Sequence, residues 1–160
     1  MDPASFAEVL RRYPLAVSVV TVGRGGAENA LTVSWATPCS FDPPMFLVAV
    51  DRLHYSVDFV KSTRNFAVNV LGEGQERLAG QFARQSMLGE DKLAGVARRE
   101  GPTGSPVLSD AVAWFDCELA FFVEAGDHFL LVGRVVDAGQ QGSARALVGG
   151  AGLRYVKSEA

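Results

Sequence analysis

Residues 113–123 limit the folds possible for this chain more than any other segment does. Their side chains alternate between apolar and polar with a period of two. In an extended strand one face would carry Phe115, Cys117, Leu119, Phe121 and Val123. The acids Asp116 and Glu118 would lie on the opposite face. This alternation predicts a sheet with one buried side, which is typical of antiparallel sheets.

Other segments are rich in residues that favour strands. Residues 15–22 form a nearly continuous β-branched and apolar run, and the glycine-rich residues 23–30 predict a turn into a second strand. Further strands are predicted at residues 45–50, 66–71 and 129–136. Because strands dominate and turns are short, we expect a mostly β, closed and largely antiparallel barrel rather than a parallel α/β sheet.

Three short segments have helical patterns. The first follows Asp2 and Pro3, a capping acid before a proline, the second spans residues 56–62 with Ser56 as its cap, and the third spans residues 75–84. Apolar side chains share one face of the first and third helices: Phe6, Val9, Leu10, Tyr13, Leu78, Ala79 and Phe82. These helices are expected to lie at the periphery of the barrel.

The length and apolar content predict a single domain over residues 1–160. A chain of 160 residues with 48% hydrophobic side chains can bury a substantial core. Between Arg84 and Asp110 the apolar pattern gives way to charge, glycine and proline. We interpret this stretch as a long surface excursion rather than a second domain.

Charge, hydropathy and cysteine usage exclude several functional classes. The 15 Lys and Arg against 18 acids leave a net charge of −3, which provides no basic field for nucleic acid. The apolar runs fall far short of the roughly 20 residues that cross a bilayer, so we expect a soluble protein with no membrane contact. Cys39 and Cys117 lie far apart without a CxxC pair, which indicates a reducing, cytoplasmic location.

Motifs for nucleophilic or metal chemistry are absent from the sequence. There is no GxSxG, no HExxH and no P-loop lysine, and residues 23–26 lack the third glycine of GxGxxG. A Cys2His2 zinc site would have to gather Cys39, His54, Cys117 and His128 without local ligand pairs. Buried packing of both cysteines is the simpler interpretation, and no metal is expected.

Residues 32–44, TVSWATPCSFDPP, are unusually dense in hydroxyl groups and also contain a tryptophan and a double proline. One interpretation is a strand that ends in a proline-stiffened turn, with Thr32 and Ser34 facing solvent. The other is a strand end that binds a flat, polar ligand.

Taken together, five motifs resemble the flavin reductase-like family, the FMN-binding split β-barrels, over nearly the whole chain. They are AVSVVTV, then NALTVSW leading to SFDPP, NFAVNVL at residues 65–71, QFA at residues 81–83 and GDHFLLVGRVV at residues 126–136. The family includes short-chain flavin reductases that serve two-component monooxygenases, and flavoredoxins. The resemblance implies a split β-barrel with a few peripheral helices, and members are generally homodimers.

The resemblance also implies a flavin site. The residues that correspond to the family's isoalloxazine and ribityl contacts are Thr32, Val33, Ser34, Trp35 and Ser40. Arg52 and Ser56 correspond to its phosphate-binding corner, where a helix N-terminus suits a phosphate dianion, although an ordinary N-cap with a solvated arginine is the alternative. Phe82 either packs near the flavin or belongs to the core.

The GDH motif implies a nicotinamide site. His128 resembles the histidine that the family places beside the nicotinamide, with Asp127 orienting its ring, although a histidine at a strand start is often structural. Hydride transfer to a flavin requires stacked rings and no protein nucleophile, which agrees with the absent motifs.

Two functions follow from the resemblance. The first is an NAD(P)H-dependent flavin reductase that uses NADH or NADPH to reduce FMN or FAD for a transient monooxygenase partner. The alternative is a flavoredoxin-like FMN-binding electron carrier without NAD(P)H turnover. The tryptophan of TVSWATP is closer to the flavoredoxin branch, whereas GDH is closer to the reductase branch.

Overall fold

The computed structural model describes residues 1–84 and 90–149. In chain order its elements are α1 (Pro3–Leu10), β1 (Ser18–Arg24), β2 (Ala27–Val33), β3 (Ala36–Phe41), β4 (Pro44–Asp51), α2 (Ser56–Thr63), β5 (Asn65–Val70), α3 (Glu76–Ala83), β6 (Arg98–Glu100), β7 (Pro106–Leu108), β8 (Ala113–Ala125) and β9 (His128–Gln140).

Seven strands form one antiparallel sheet in the order β2-β1-β5-β8-β9-β4-β3. The edge strands β2 and β3 are consecutive in the chain and are separated only by Ser34 and Trp35. A sheet whose two edges are joined by two residues must curl around a core. No ladder joins β2 to β3 within the described ranges. The mostly β, split-barrel prediction is therefore confirmed, and a fully closed barrel is not formed.

The predicted hairpin near the start of the chain is tight. Arg24 pairs with Ala27 across the turn, and the register runs back to Ser18 opposite Val33. Gly23 has a φ of 89°, and a Cβ there would lie 2.0 Å from the carbonyl oxygen of Ala27. Only glycine fits this position, which explains why the turn follows the β-branched run at that residue.

The interior of the barrel is an apolar core to which every large strand contributes. Its buried side chains include Val20, Val48, Phe66 and Leu131. Gly133 lets β9 pass this core closely, because a Cβ there would lie 2.6 Å from the ring of Phe66.

A second apolar core covers the outer face of β1 and β2. It contains Val17, Val19, Ala30, Leu71, Phe82, Leu93 and Leu108. Since β1 is buried on both faces, its sequence is a continuous apolar run rather than an alternating one.

The expectation of a surface excursion between Arg84 and Asp110 is wrong for much of its described part. Leu93, Val107 and Leu108 are buried, and the backbone N–H of Leu108 donates to Asn69 Oδ1 at 2.8 Å. The apolar residues of this stretch are too sparse to show a period, and they become buried only because the outer face of the barrel needs a cover.

The period-two prediction for β8 holds only for part of the strand. Two β-bulges, between Asp116 and Cys117 and between Leu119 and Phe121, change which face each side chain occupies. Phe121 is therefore exposed, and Asp116 is buried, where it accepts hydrogen bonds from the backbone N–H and the hydroxyl of Thr103. Burial raises the pKa of Asp116.

All three predicted helices are present. Asp2 caps α1 by accepting a hydrogen bond from the N–H of Ser5 at 3.0 Å, as predicted, but the apolar side chains Phe6 and Val9 are exposed. On α3, Ala79 and Phe82 are buried as predicted. No helix among residues 1–84 and 90–149 is long and apolar enough to cross a membrane.

Candidate functional site

The candidate site lies where the β8–β9 hairpin meets the end of β4. Asp51 pairs with His128 across the β4–β9 ladder, and the backbone N–H of Arg52 donates to the carbonyl of Asp127 at 3.0 Å. The guanidinium of Arg52 also donates to the carbonyl of Gly126 at 3.3 Å. Strand pairing thus brings Arg52 next to Asp127 and His128, which lie far from it in the sequence.

The imidazole of His128 is held on two sides. Its Nδ1 lies 2.7 Å from Asp127 Oδ1, and its ring stacks at a tilt on Trp35, with ring centroids 4.7 Å apart. An ionised carboxylate only accepts hydrogen bonds, so Nδ1 of His128 is the donor in this contact. The side chain of His128 is 22% exposed, which leaves part of the ring accessible to a ligand.

The segment between β2 and β3 places its residues in different environments. The hydroxyl of Thr32 donates to the carbonyl of Ala79 on α3 at 2.6 Å, and the side chain of Val33 is buried in the barrel core. Ser34 and Trp35 are half-buried at the connection between the two sheet edges. Thr32, Ser34 and Trp35 are thus all half-buried, but the hydroxyl of Thr32 is already used in a hydrogen bond.

Ser40 lies on the edge strand β3. It pairs with Met45 immediately after a bulge between Pro38 and Ser40, and it is half-buried. A bulge changes the direction in which the side chains of a strand point, and bulges are common beside binding sites.

The start of α2 differs from the prediction that Ser56 is its cap. The N-cap residue is Tyr55, which makes no side-chain capping bond, and Ser56 is the first helical residue. His54 takes over the capping role, because its Nδ1 accepts from the N–H of Ser56 at 3.1 Å and its carbonyl from the N–H of Val57 at 3.0 Å. The Oγ of Ser56 is buried and has no hydrogen-bond partner within the described chain.

The sequence suggested His54 only as a possible zinc ligand, whereas the structure places it at the start of α2. Burial and the charge of Lys92 lower its pKa to about 4, with Asp51 opposing them. Histidine is not among the residues that usually cap helices, so no local sequence signal identified this role.

Lys92 is buried close to this corner. Its ammonium group donates to the carbonyls of Ala30, Phe82 and Arg84, which joins β2 to the end of α3. Burial, and to a smaller extent the charge of Arg84, lower the pKa of Lys92. Lys92 therefore adds a positive potential behind the start of α2 without being accessible itself.

One residue considered for the site lies elsewhere. Phe82 is fully buried in the second core, so its side chain presents no surface to a ligand. Lys61, on α2, places its ammonium group over the rings of Phe122 and Phe129, at 5.1 and 4.9 Å from their centroids.

The cysteines do not form a metal cluster with the histidines in the described ranges. Cys117 is buried, as the packing interpretation requires, and burial raises its pKa to about 12. Cys39 is exposed, so the expectation of buried packing is wrong for this residue.

The residues present fit a flavin nucleotide. The buried Oγ of Ser56 lacks a partner at a helix N-terminus, where a phosphate is favoured by the helix dipole. The stacked rings of Trp35 and His128 are half-buried and provide an aromatic surface. A flat ring system with a phosphate tail matches these two surfaces.

Comparison with known proteins agrees with this geometry. The model of the flavin reductase like domain matches residues 10–155. The chain is 35% identical over 135 residues to the stachydrine N-demethylase reductase subunit of Rhizobium meliloti, which covers 84% of this chain but only 57% of that protein. It is 33% identical over 138 residues to the reductase component of a 4-nitrophenol 4-monooxygenase/4-nitrocatechol 2-monooxygenase of Rhodococcus opacus, covering 86% of this chain and 72% of that protein.

A solved structure shows the same architecture. The NADH:FAD oxidoreductase of Streptomyces globisporus superposes with a TM-score of 0.85 at 30% identity, covering 98% of this chain and 96% of that one. The domain match over most of the sequence, together with these relatives, shows that the chain belongs to the flavin reductase-like family.

Proposed function

We propose that this chain is an NAD(P)H-dependent flavin reductase that transfers a hydride from NADH or NADPH to FMN or FAD. The observation that carries the proposal is the stack of His128 on Trp35. It joins the segment assigned to the flavin ring to the histidine assigned to the nicotinamide. Membership of the family and the NADH:FAD oxidoreductase relative support this assignment.

The bound flavin would supply the hydride acceptor, and the protein would supply position and electrostatics. His128 contacts the nicotinamide through its Nε2 edge, and Asp127 is a positioning residue that fixes the ring through Nδ1. The Asp127 carboxylate therefore holds a single tautomer while the donor binds.

The flavin ring and its ribityl chain are assigned to Thr32, Val33, Ser34, Trp35 and Ser40. Thr32 and Val33 would contribute mainly backbone groups, because the Thr32 hydroxyl donates to Ala79 and the Val33 side chain is buried. Phe82 would not contact the flavin, because it packs inside the second core. Arg52 and Ser56 are assigned to the phosphate.

We also propose that residues 1–160 act as one domain in a homodimer that delivers reduced flavin to a monooxygenase. The side chain of Phe41, at the β3–β4 turn, is 100% exposed, and it is the position chosen to test a contact between subunits. The relative from Rhodococcus opacus is itself a monooxygenase reductase component. Light scattering of the purified protein, with Phe41→Asp expected to shift dimer to monomer, tests the dimer.

Anaerobic absorbance at about 450 nm tests the reductase, since oxidised flavin absorbs there. The protein is mixed with FMN or FAD and then with NADH or NADPH. Bleaching over many turnovers per subunit is expected. Flavin that binds but is not bleached by either donor would replace the reductase with the electron carrier, and failure to bind either flavin would overturn both.

A further inference from the structure

The contact between Trp35 and His128 lies on the outer face of the sheet. On β4 the side chain of Val50 is buried in the barrel core, so its neighbours Ala49 and Asp51 face outward. His128 pairs directly with Asp51 and therefore shares this outer face. The indole of Trp35 touches the imidazole of His128, so both rings lie outside the core.

The two side chains together bridge the width of one strand. Trp35 immediately precedes β3, His128 begins β9, and β4 lies between these strands. Neighbouring strands are about 4.8 Å apart, so the backbones of β3 and β9 are separated by about 10 Å. The ring centroids are nevertheless only 4.7 Å apart. Ala49, whose N–H donates to the carbonyl of Trp35 at 2.8 Å, has only a methyl group, which leaves space above β4.

The indole restrains His128 in a direction that Asp127 does not. The carboxylate of Asp127 contacts one edge of the imidazole, at Nδ1, whereas the indole lies against the face of the ring at an interplanar angle of 32°. The side chain of Asp127 is 55% exposed, so water competes for its hydrogen bond. The orientation of the imidazole plane therefore depends on Trp35.

The same contact limits what the indole can offer to a flavin. The part of its surface that touches His128 is covered, and Trp35 as a whole is half-buried. Its backbone still belongs to the segment assigned to the flavin ring. The indole and the backbone of Trp35 can thus have different roles.

We propose that the indole of Trp35 is a positioning group for the hydride donor, because it holds the imidazole of His128 in the orientation that receives the nicotinamide. This inference rests on the proposed function, since the donor is NADH or NADPH. Its consequence is that the Trp35 side chain controls donor binding through His128 and contributes little to flavin affinity.

A double-mutant cycle of Trp35→Leu and His128→Ala tests the proposal. The KM for the donor that the wild-type protein oxidises and the Kd for FMN are measured for each variant. Loss of one aromatic contact in Trp35→Leu is expected to raise the donor KM about threefold to tenfold and to change the FMN Kd less than about twofold. In protein that already carries His128→Ala, Trp35→Leu is expected to have no further effect on the donor KM. Trp35→Phe keeps an aromatic face and is expected to retain the wild-type KM within about twofold.

Three results would overturn the proposal. The first is an unchanged donor KM in Trp35→Leu. The second is a KM effect of Trp35→Leu that persists in full when His128 is replaced, because the indole would then act independently of the imidazole. The third is a greater loss of FMN affinity than of donor affinity, which would make the indole a flavin contact. Wild-type protein that oxidises neither NADH nor NADPH would instead overturn the proposed function, so the two failures are distinguishable.

A measurement on the flavin-free wild-type protein provides an independent check that needs no folded variant of Trp35. Nuclear Overhauser effects are expected between the imidazole protons of His128 and the indole protons of Trp35. The other tryptophan, Trp114, stacks with Arg99 instead and serves as the internal control, with no such effect expected to His128. Absence of the effect between His128 and Trp35 would overturn the inference.

Discussion

The imidazole of His128 rests against the indole of Trp35 at a centroid distance of 4.7 Å, a contact that reaches across β4. The backbone N–H of Ala49 on β4 donates to the carbonyl of Trp35 at 2.8 Å, and β4 pairs with β9 on its other side. Trp35 joins the two edges of the split barrel, and His128 begins β9. Because Asp127 holds the other side of the ring at 2.7 Å, the orientation of His128 depends on both neighbours.

Replacing His128 is expected to affect the nicotinamide more than the flavin. His128→Ala should raise the KM for NADH or NADPH by about tenfold and change the Kd for FMN by less than about threefold. The reason is that His128 is assigned to the hydride donor, while the flavin contacts lie on the β2–β3 segment. Steady-state kinetics and flavin titration measure the two values, and equal losses of both would contradict the assignment.

Ser56→Ala is expected to stabilise the flavin-free protein and to weaken its binding of FMN. The buried hydroxyl has no partner, and leaving such a group unsatisfied costs about 1 kcal/mol or more. Its removal should raise the free energy of unfolding of the flavin-free protein, by up to about 1 kcal/mol, while weakening FMN binding. Urea unfolding and flavin titration measure the two effects.

Ser62→Ala on the same helix is the control for this experiment. The Ser62 hydroxyl is exposed and already donates to the carbonyl of Phe59 at 3.0 Å. Its replacement is expected to leave FMN affinity unchanged. If both variants weakened FMN equally, the hydroxyl of Ser56 would have no special role.

His54 is expected to make stability depend on pH in mildly acidic solution. Burial and Lys92 lower its pKa from 6.5 to about 4 in the folded protein. Between these pH values the unfolded chain binds a proton that the folded chain does not, so the free energy of unfolding falls as the pH is lowered from 6.5 to 4. The full effect is about 3 kcal/mol and is complete below pH 4.

The difference between wild type and His54→Asn isolates this contribution, because carboxylates titrate in the same window in both proteins. Urea unfolding at a series of pH values should show a smaller loss of stability for His54→Asn. Identical pH profiles would mean that the His54 ring is not desolvated.

Lys92→Met is expected to destabilise the junction of β2 and α3. The substitution keeps the apolar stem but leaves the carbonyls of Ala30, Phe82 and Arg84 without their donor. A decrease of about 2 kcal/mol in the free energy of unfolding is expected. Lys61→Met, which removes an exposed ammonium from two aromatic rings, should cost less than about 1 kcal/mol. Comparable losses would refute a special role for Lys92.

Local patterns were sufficient for most elements of the fold. The β-branched run and glycine turn of the first hairpin, the cap at Asp2 and the stripe on α3 all depend on residues a few positions apart. Backbone conformation and side-chain spacing at this range follow directly from the residue types. The resemblance to a known family added the residues of the candidate site.

Sequence by itself predicted the helices and the strands β1, β2, β4, β5, β8 and β9, but not β3, β6 or β7. The family resemblance added Arg52, Asp127 and His128 as candidate residues. Only the tertiary structure decided that bulges bury Asp116, that residues 90–111 cover a second core, and that His54 rather than Ser56 caps α2. It also placed Trp35 against His128 and Phe82 away from the site. These outcomes depend on contacts between residues far apart in the chain, whose burial and hydrogen bonds no local pattern specifies.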